Sequence, residues 1–239
     1  MNDTSNEPIT GIVAAQVSGK MTTRATASMR MQFAMHHLAG ALVFSRQVCD
    51  IEAQHLGEPW GGTFYEEMSG PAIAVIMMTV AGMESYLNEL FADSATHFSS
   101  SMLPIWKKGA KDFDRKPLLD KADWFLLLRS KQKINRNESL IHDVEALVTL
   151  RNALVHFKPE WDNELDRHKS VSKQLEGRFV RSSWMASEPG VFPKAWITGG
   201  CTTWAVNTAI KFVDHIADCS GIEKGKRVLL DRLNYYPPN

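Results

Sequence analysis

The stretch NESLIHDVEALVTLRNALVHFKP, residues 137–159, decides how this chain folds. Ile141, Val144, Leu147, Val148, Leu150 and Leu154 recur at the spacing that lines one buried stripe of an α-helix. Asn137 stands where an N-cap is wanted, and Glu138 falls in the first turn, where the helix dipole favours an anion. Pro159 disfavours helical backbone at Lys158, so the spacing predicts a helix over 137–157 that stops near Phe157.

The segments around it follow the same period. Residues 22–56 contain no proline and one glycine, and Met31, Ala34, Met35, Leu38, Leu42, Val43 and Ile51 can form one apolar face. Gly57, Pro59, Gly61 and Gly62 end that helix. Pro71 suits a first helical turn, and the chain from there to Asp93 is apolar nearly all round, which places it mid-bundle. Its longest near-uncharged run, 71–83, falls short of the roughly 20 residues a membrane span needs. Residues 94–118 are mixed, with room for a short helix before Pro104; a helix covers 119–131. A charged, solvated helix is expected within 160–182 and a long loop over 183–199. A last helix over 202–219 is stopped by Gly221. No internal repeat and no sheet-forming alternation is visible.

These segments predict an all-α bundle of four to six main helices over 21–222. An extended N-terminal arm (1–20) precedes it and a C-terminal tail (223–239) follows. With 239 residues and 44% hydrophobic content the chain can bury a core. Lys+Arg and Asp+Glu are both 27, so no global pull on nucleic acid or anionic membrane is expected, although a local basic patch is compatible with this balance. Cys49, Cys201 and Cys219 lack ligand or disulfide spacing, which fits a reducing, cytoplasmic setting without a structural metal. The first residues show no signal peptide, and no membrane partner or cofactor is expected.

Arg151, Asn152 and His156 are the residues suited to chemistry. A guanidinium matches phosphate oxygens, an imidazole moves protons near neutral pH, and an amide can orient either. On an ideal helix Arg151 and His156 stand roughly 140° apart, so convergence needs the helix to end at His156 or a second chain to complete the site. The stop before Pro159 supplies the first condition and puts His156 in the last turn, where the dipole favours a cation. Glu84 and Asn88 share a face of the apolar helix over 71–93 and are candidate supporting residues, with Glu84, a lone acid on an apolar helix, expected to orient Arg151 or His156 from the neighbouring helix. They also read as a buried pair that fixes bundle register. Arg30 with His36 or His37, and Arg136-Asn137 with His142, have similar spacing, but the first lies inside a long helix with no break to bring the pair together and the second spans a helix start. Adjacent His36 and His37 point to different helix faces and have no acid or Cys partner.

The motif Arg151-Asn152-Ala153-Leu154-Val155-His156 resembles that of the HEPN superfamily, helical bundles with an arginine, four to six residues, then a histidine. The preceding apolar helix, Phe157-Lys158-Pro159 and the stretch from Gly82 to Leu90 are similar too. The resemblance implies a HEPN-like fold and a metal-independent endoribonuclease of the toxin or phage-defence type. It also implies a homodimer with both motifs in one cleft, RNA or a nucleotide as ligand, and a cognate antitoxin as partner. His156 would then be the acid/base, Arg151 would steady the phosphate and Asn152 would assist. Two other readings remain open: a non-catalytic nucleotide- or RNA-binding module, and a structural dimer whose motif only stabilises a helix end.

Overall fold

The computed structural model describes residues 16–17, 21–22, 30–59, 62–113, 115–161, 166–188 and 190–222. The chain divides into two compact units, Met1–Met31 and Gln32–Asn239. In the first, β1 (Gln16–Val17) and β2 (Met21–Thr22) pair antiparallel, Gln16 opposite Thr22 and Val17 opposite Met21. The rest of the expected arm, and the tail over 223–239, lie outside the described residues.

The second unit is an all-helical bundle. Its helices are α1 (Ala34–Gln54), α2 (Phe64–Ala92), α3 (Ser94–His97), α4 (Leu103–Phe113), α5 (Leu118–Ser130), α6 (Ser139–Val155), α7 (Asp166–Leu175) and α8 (Gly199–Ser220). Helices α2 and α8 sit at its centre: each packs on the other and on α1, α5 and α6. Met83, Leu87, Phe125, Leu126, Ile141, Leu147, Leu150 and Phe212 are buried between them. Alone among the described helices, α2 is long and apolar enough to cross a bilayer; here Met68, Ile76, Val80, Met83 and Leu87 instead join the common core.

Several boundaries differ from the sequence expectations, each for a tertiary reason. Helix α1 begins at Ala34 rather than Thr22, because Glu89 Oε1 reaches over from α2 and accepts the N–H groups of Phe33 (2.7 Å) and Ala34 (2.9 Å). That carboxylate satisfies amides that a helix start leaves without partners. Met31 and Val43, expected inward, are 61% and 48% exposed; the buried stripe is Leu38, Ala41, Leu42, Ser45 and Val48.

Pro71 lies inside α2 rather than at its start. The preceding turns hold because Phe64 and Met68 are buried in the core, which offsets the hydrogen bond that proline removes. Pro104 sits in the first turn of α4, where a missing N–H costs little, so a helix forms where none was expected. Glu138, not Asn137, occupies the N-cap position of α6; the Asn137 N–H is held instead by the Asn135 side chain at 3.1 Å. The expected loop over 183–199 carries two short helical turns and buries Val191, Phe192, Ala195 and Trp196. Its Pro and Gly spacing hid a segment that packs as core.

Candidate functional site at the end of helix α6

Helix α6 stops at Val155. His156 follows with non-helical backbone (φ −109°, ψ 33°), and its N–H closes the last turn on the Asn152 carbonyl at 2.9 Å. The buried stripe of Ile141, Val144, Leu147 and Leu150 fixes which way this end faces. Arg151, one residue past Leu150, is therefore half-buried at the edge of that stripe, whereas Asn152 and His156 are exposed. Four residues apart, Asn152 and His156 stand on one side of the terminal turn.

The guanidinium of Arg151 points across to α2. Its Nη2 donates to Glu84 Oε1 at 2.9 Å, with the two side chains 26% and 40% exposed. Arg151 Nε is buried and has no hydrogen-bond partner. Glu84 thus holds one edge of the guanidinium fork and leaves donors on the others. No hydrogen bond joins Arg151 to His156. Asn88, one turn after Glu84, belongs elsewhere: its Oδ1 accepts from Lys121 Nζ at 3.1 Å, and that ammonium also lies 5.0 Å above the Phe113 ring. Glu84 and Asn88 are therefore not paired with each other, as the register reading had it; each ties α2 to a different neighbour, α6 and α5.

Residues beyond the motif, which the sequence did not single out, hold the chain that follows it. Glu160 accepts the N–H groups of Arg167 and His168, both at 3.3 Å, in the first turn of α7, where a carboxylate opposes the helix dipole favourably. His168, buried, has Nδ1 3.6 Å from Glu160 Oε2 and Nε2 3.2 Å from the Lys158 carbonyl. Its ring stacks on Phe157, with centroids 5.4 Å apart and planes 20° apart, and Phe192 meets both rings edge-on. The segment that leaves His156 is thereby pinned to α7.

The other arginine–histidine pairs have different surroundings. Arg136 is clamped by Asp123, Asp120 (3.4 Å) and Glu145 (4.0 Å). Burial works against its charge, but the two aspartates outweigh that and raise its pKa, so this guanidinium is committed to bracing the α5–α6 turn. Arg30 and His36 fall in different compact units. On α8, His215 Nε2 lies 3.5 Å from Cys219 Sγ and 3.7 Å from Glu138 Oε2. Both partners face the same ring nitrogen, so a relay through the imidazole cannot form. Burial, Glu138 and Asp218 push the Cys219 thiol up, the wrong direction for a nucleophile. Among the described residues no group of three His, Cys, Asp or Glu side chains is placed to hold a metal ion.

A groove of about 560 Å³ near the start of α8, lined by Cys49, Glu52, Phe179, Gly199 and Thr203 among others, includes none of the α6 motif residues. At the motif, Asn152 and His156 are exposed and Arg151 is half-buried. No family model, curated protein or solved structure matches this chain.

Proposed function

We propose that the chain is a HEPN-like endoribonuclease that engages RNA at the end of α6 and acts as a homodimer. The observation that supports this most is the Arg151–Glu84 ion pair. It fixes a guanidinium beside a helix end whose next turn exposes an amide and an imidazole. Exposed groups such as Asn152 and His156 suit a polymer, which can lie along a surface, better than a small molecule, which needs enclosure. In this reading the His156 imidazole accepts the proton of a ribose 2′-hydroxyl as that oxygen attacks the adjacent phosphorus. The 5′-oxygen leaves with a proton from a second imidazole, that of His156 in the other copy, and a 2′,3′-cyclic phosphate remains. Arg151 donors outside the Glu84 contact meet the phosphate oxygens as negative charge grows, and Asn152 assists as a hydrogen-bonding neighbour.

The test is cleavage of a fluorescently labelled single-stranded RNA by the purified protein, with and without EDTA. His156→Ala should slow it about 100- to 10,000-fold, the range of a lost general acid/base. Equal cleavage by the native protein and His156→Ala would sink the reading. A non-catalytic RNA-binding module is the second reading. It is favoured by the same ion pair, since Glu84 already neutralises part of the charge that would stabilise the transition state. RNA binding lost in Arg151→Ala, with no cleavage by the native protein, would select it.

A further inference from the structure

The motif's His156 is followed by Phe157, Lys158, Pro159, Glu160 and Trp161, two aromatic rings with a lysine between them. Phe157 is 47% exposed and Trp161 is 78% exposed, beside Val155 at 51%. Lone exposed hydrophobic residues are ordinary, but here three fall within the seven positions 155–161, next to the candidate site. Apolar surface left open to water costs solvation free energy, roughly 25 cal/mol per Å², unless a ligand covers it.

Phe157 is also held rigidly. One face lies on His168, which is itself buried and anchored by Glu160 and the Lys158 carbonyl, and Phe192 closes the edge. Even so, the residue stays 47% exposed, which leaves ring surface for a ligand. A ring fixed in this way has already lost the side-chain freedom that binding would otherwise cost. The flanking charges fit a polyanion: the Lys158 cation is exposed, while the nearby Glu160 carboxylate is only 12% exposed and engaged with the start of α7.

Resting on the RNA reading above, we propose that Phe157 and Trp161 form a stacking platform for unpaired bases and make this site select single-stranded over duplex RNA. A base can lie on an aromatic face only when it is not already stacked in a helix. Backbone phosphates of the same strand then meet Lys158 and Arg151. The platform sets affinity and strand preference, and His156 retains the chemistry.

The experiment measures binding by fluorescence anisotropy, with a labelled single-stranded 20-mer and its blunt duplex as probes. All proteins carry His156→Ala, so cleavage plays no part. Trp161→Ala and Phe157→Leu should each weaken single-strand binding about 5- to 150-fold, the span of one base–aromatic stack. Duplex binding should be little changed, and Trp161→Phe should largely restore the single-strand affinity. Trp161 is so exposed that its replacement leaves the core untouched, which guards against misfolding in Phe157→Leu. Unchanged single-strand affinity in both variants overturns the platform while leaving the cleavage reading in place. Binding that depends on Trp161, in a protein whose native form never cleaves, supports the platform and overturns the catalysis. Failure of every form to bind RNA overturns both. A native dimer on sedimentation that Trp161→Ala turns into a monomer, with RNA affinity unaffected, assigns Trp161 to a contact with a second copy and overturns the platform.

Discussion

Glu52 Oε2 accepts the amide hydrogen of Gly199 at 2.6 Å, joining the last turn of α1 to the first residue of α8 across 147 positions of sequence. Thr198 Oγ1 accepts another first-turn amide, that of Cys201, at 2.9 Å. Two side chains, one local and one distant, thus cap the central helix α8.

Burial raises the Glu52 pKa above 4.5, and the Gly199 hydrogen bond only partly opposes it. Between 4.5 and that raised native value the folded chain binds more protons than the unfolded one. Stability therefore falls as pH rises through this window and levels off above it. Glu52→Gln keeps an acceptor for Gly199 without the charge. It should melt higher than the native protein at pH 7 and close to it at pH 4, with a flatter pH dependence between. Thermal melts at those two pH values decide the matter, and parallel curves would contradict the assignment.

Two glycines at the α1–α2 contact should respond oppositely to alanine. A Cβ on Gly82 would lie 2.7 Å from Leu38 Cδ2, 2.9 Å from its Cγ and 3.4 Å from the Ala34 carbonyl. Leu38 is 1% exposed and cannot swing away, so Gly82→Ala should cost about 1–3 kcal/mol despite alanine's better helix propensity. A Cβ on Gly40 meets only the flexible end of Met78, which can move aside. Gly40→Ala should be close to neutral, or stabilising by up to about 1 kcal/mol. Urea unfolding of the two variants tests the contrast; equal effects would mean the helices do not approach as described.

The Arg151–Glu84 pair should show a coupling of about 1 kcal/mol at low salt, at the upper end for partly exposed pairs, because both side chains retain solvent contact. The measurement is a double-mutant cycle of Arg151→Met and Glu84→Gln. Coupling that persists undiminished in 1 M salt would place the pair deeper than its exposure allows.

The stripes of α5, α6 and α8 were legible because each helix buries one continuous face: Phe125 and Leu126, Leu147 and Leu150, Phe212 and Ile216 are all in the core. The stop before Pro159 was legible for the same local reason. What escaped depends on residues far apart in sequence. The start of α1 is set by Glu89, and the early start of α2 is secured by burial of Phe64 and Met68. The segment over 183–199 carries the punctuation of a loop yet buries Trp196 completely.

At the motif, the spacing marked Arg151, Asn152 and His156. Glu84 was visible as the acid on the apolar helix that would orient Arg151 or His156, but which of the two it meets was not, since that turns on the rotation of α2 against α6. Glu160, His168 and the ring stack on Phe157 gave no local signal, because their partners are brought together only when α7 folds back.

The cap that Glu89 supplies to α1 also bears on how the chain acquires its shape. A helix whose first amides wait on a carboxylate 55 positions downstream has no fixed beginning until the hairpin closes. During synthesis from the amino end, the first helix therefore remains ragged until the second has emerged, and the two become native as a pair.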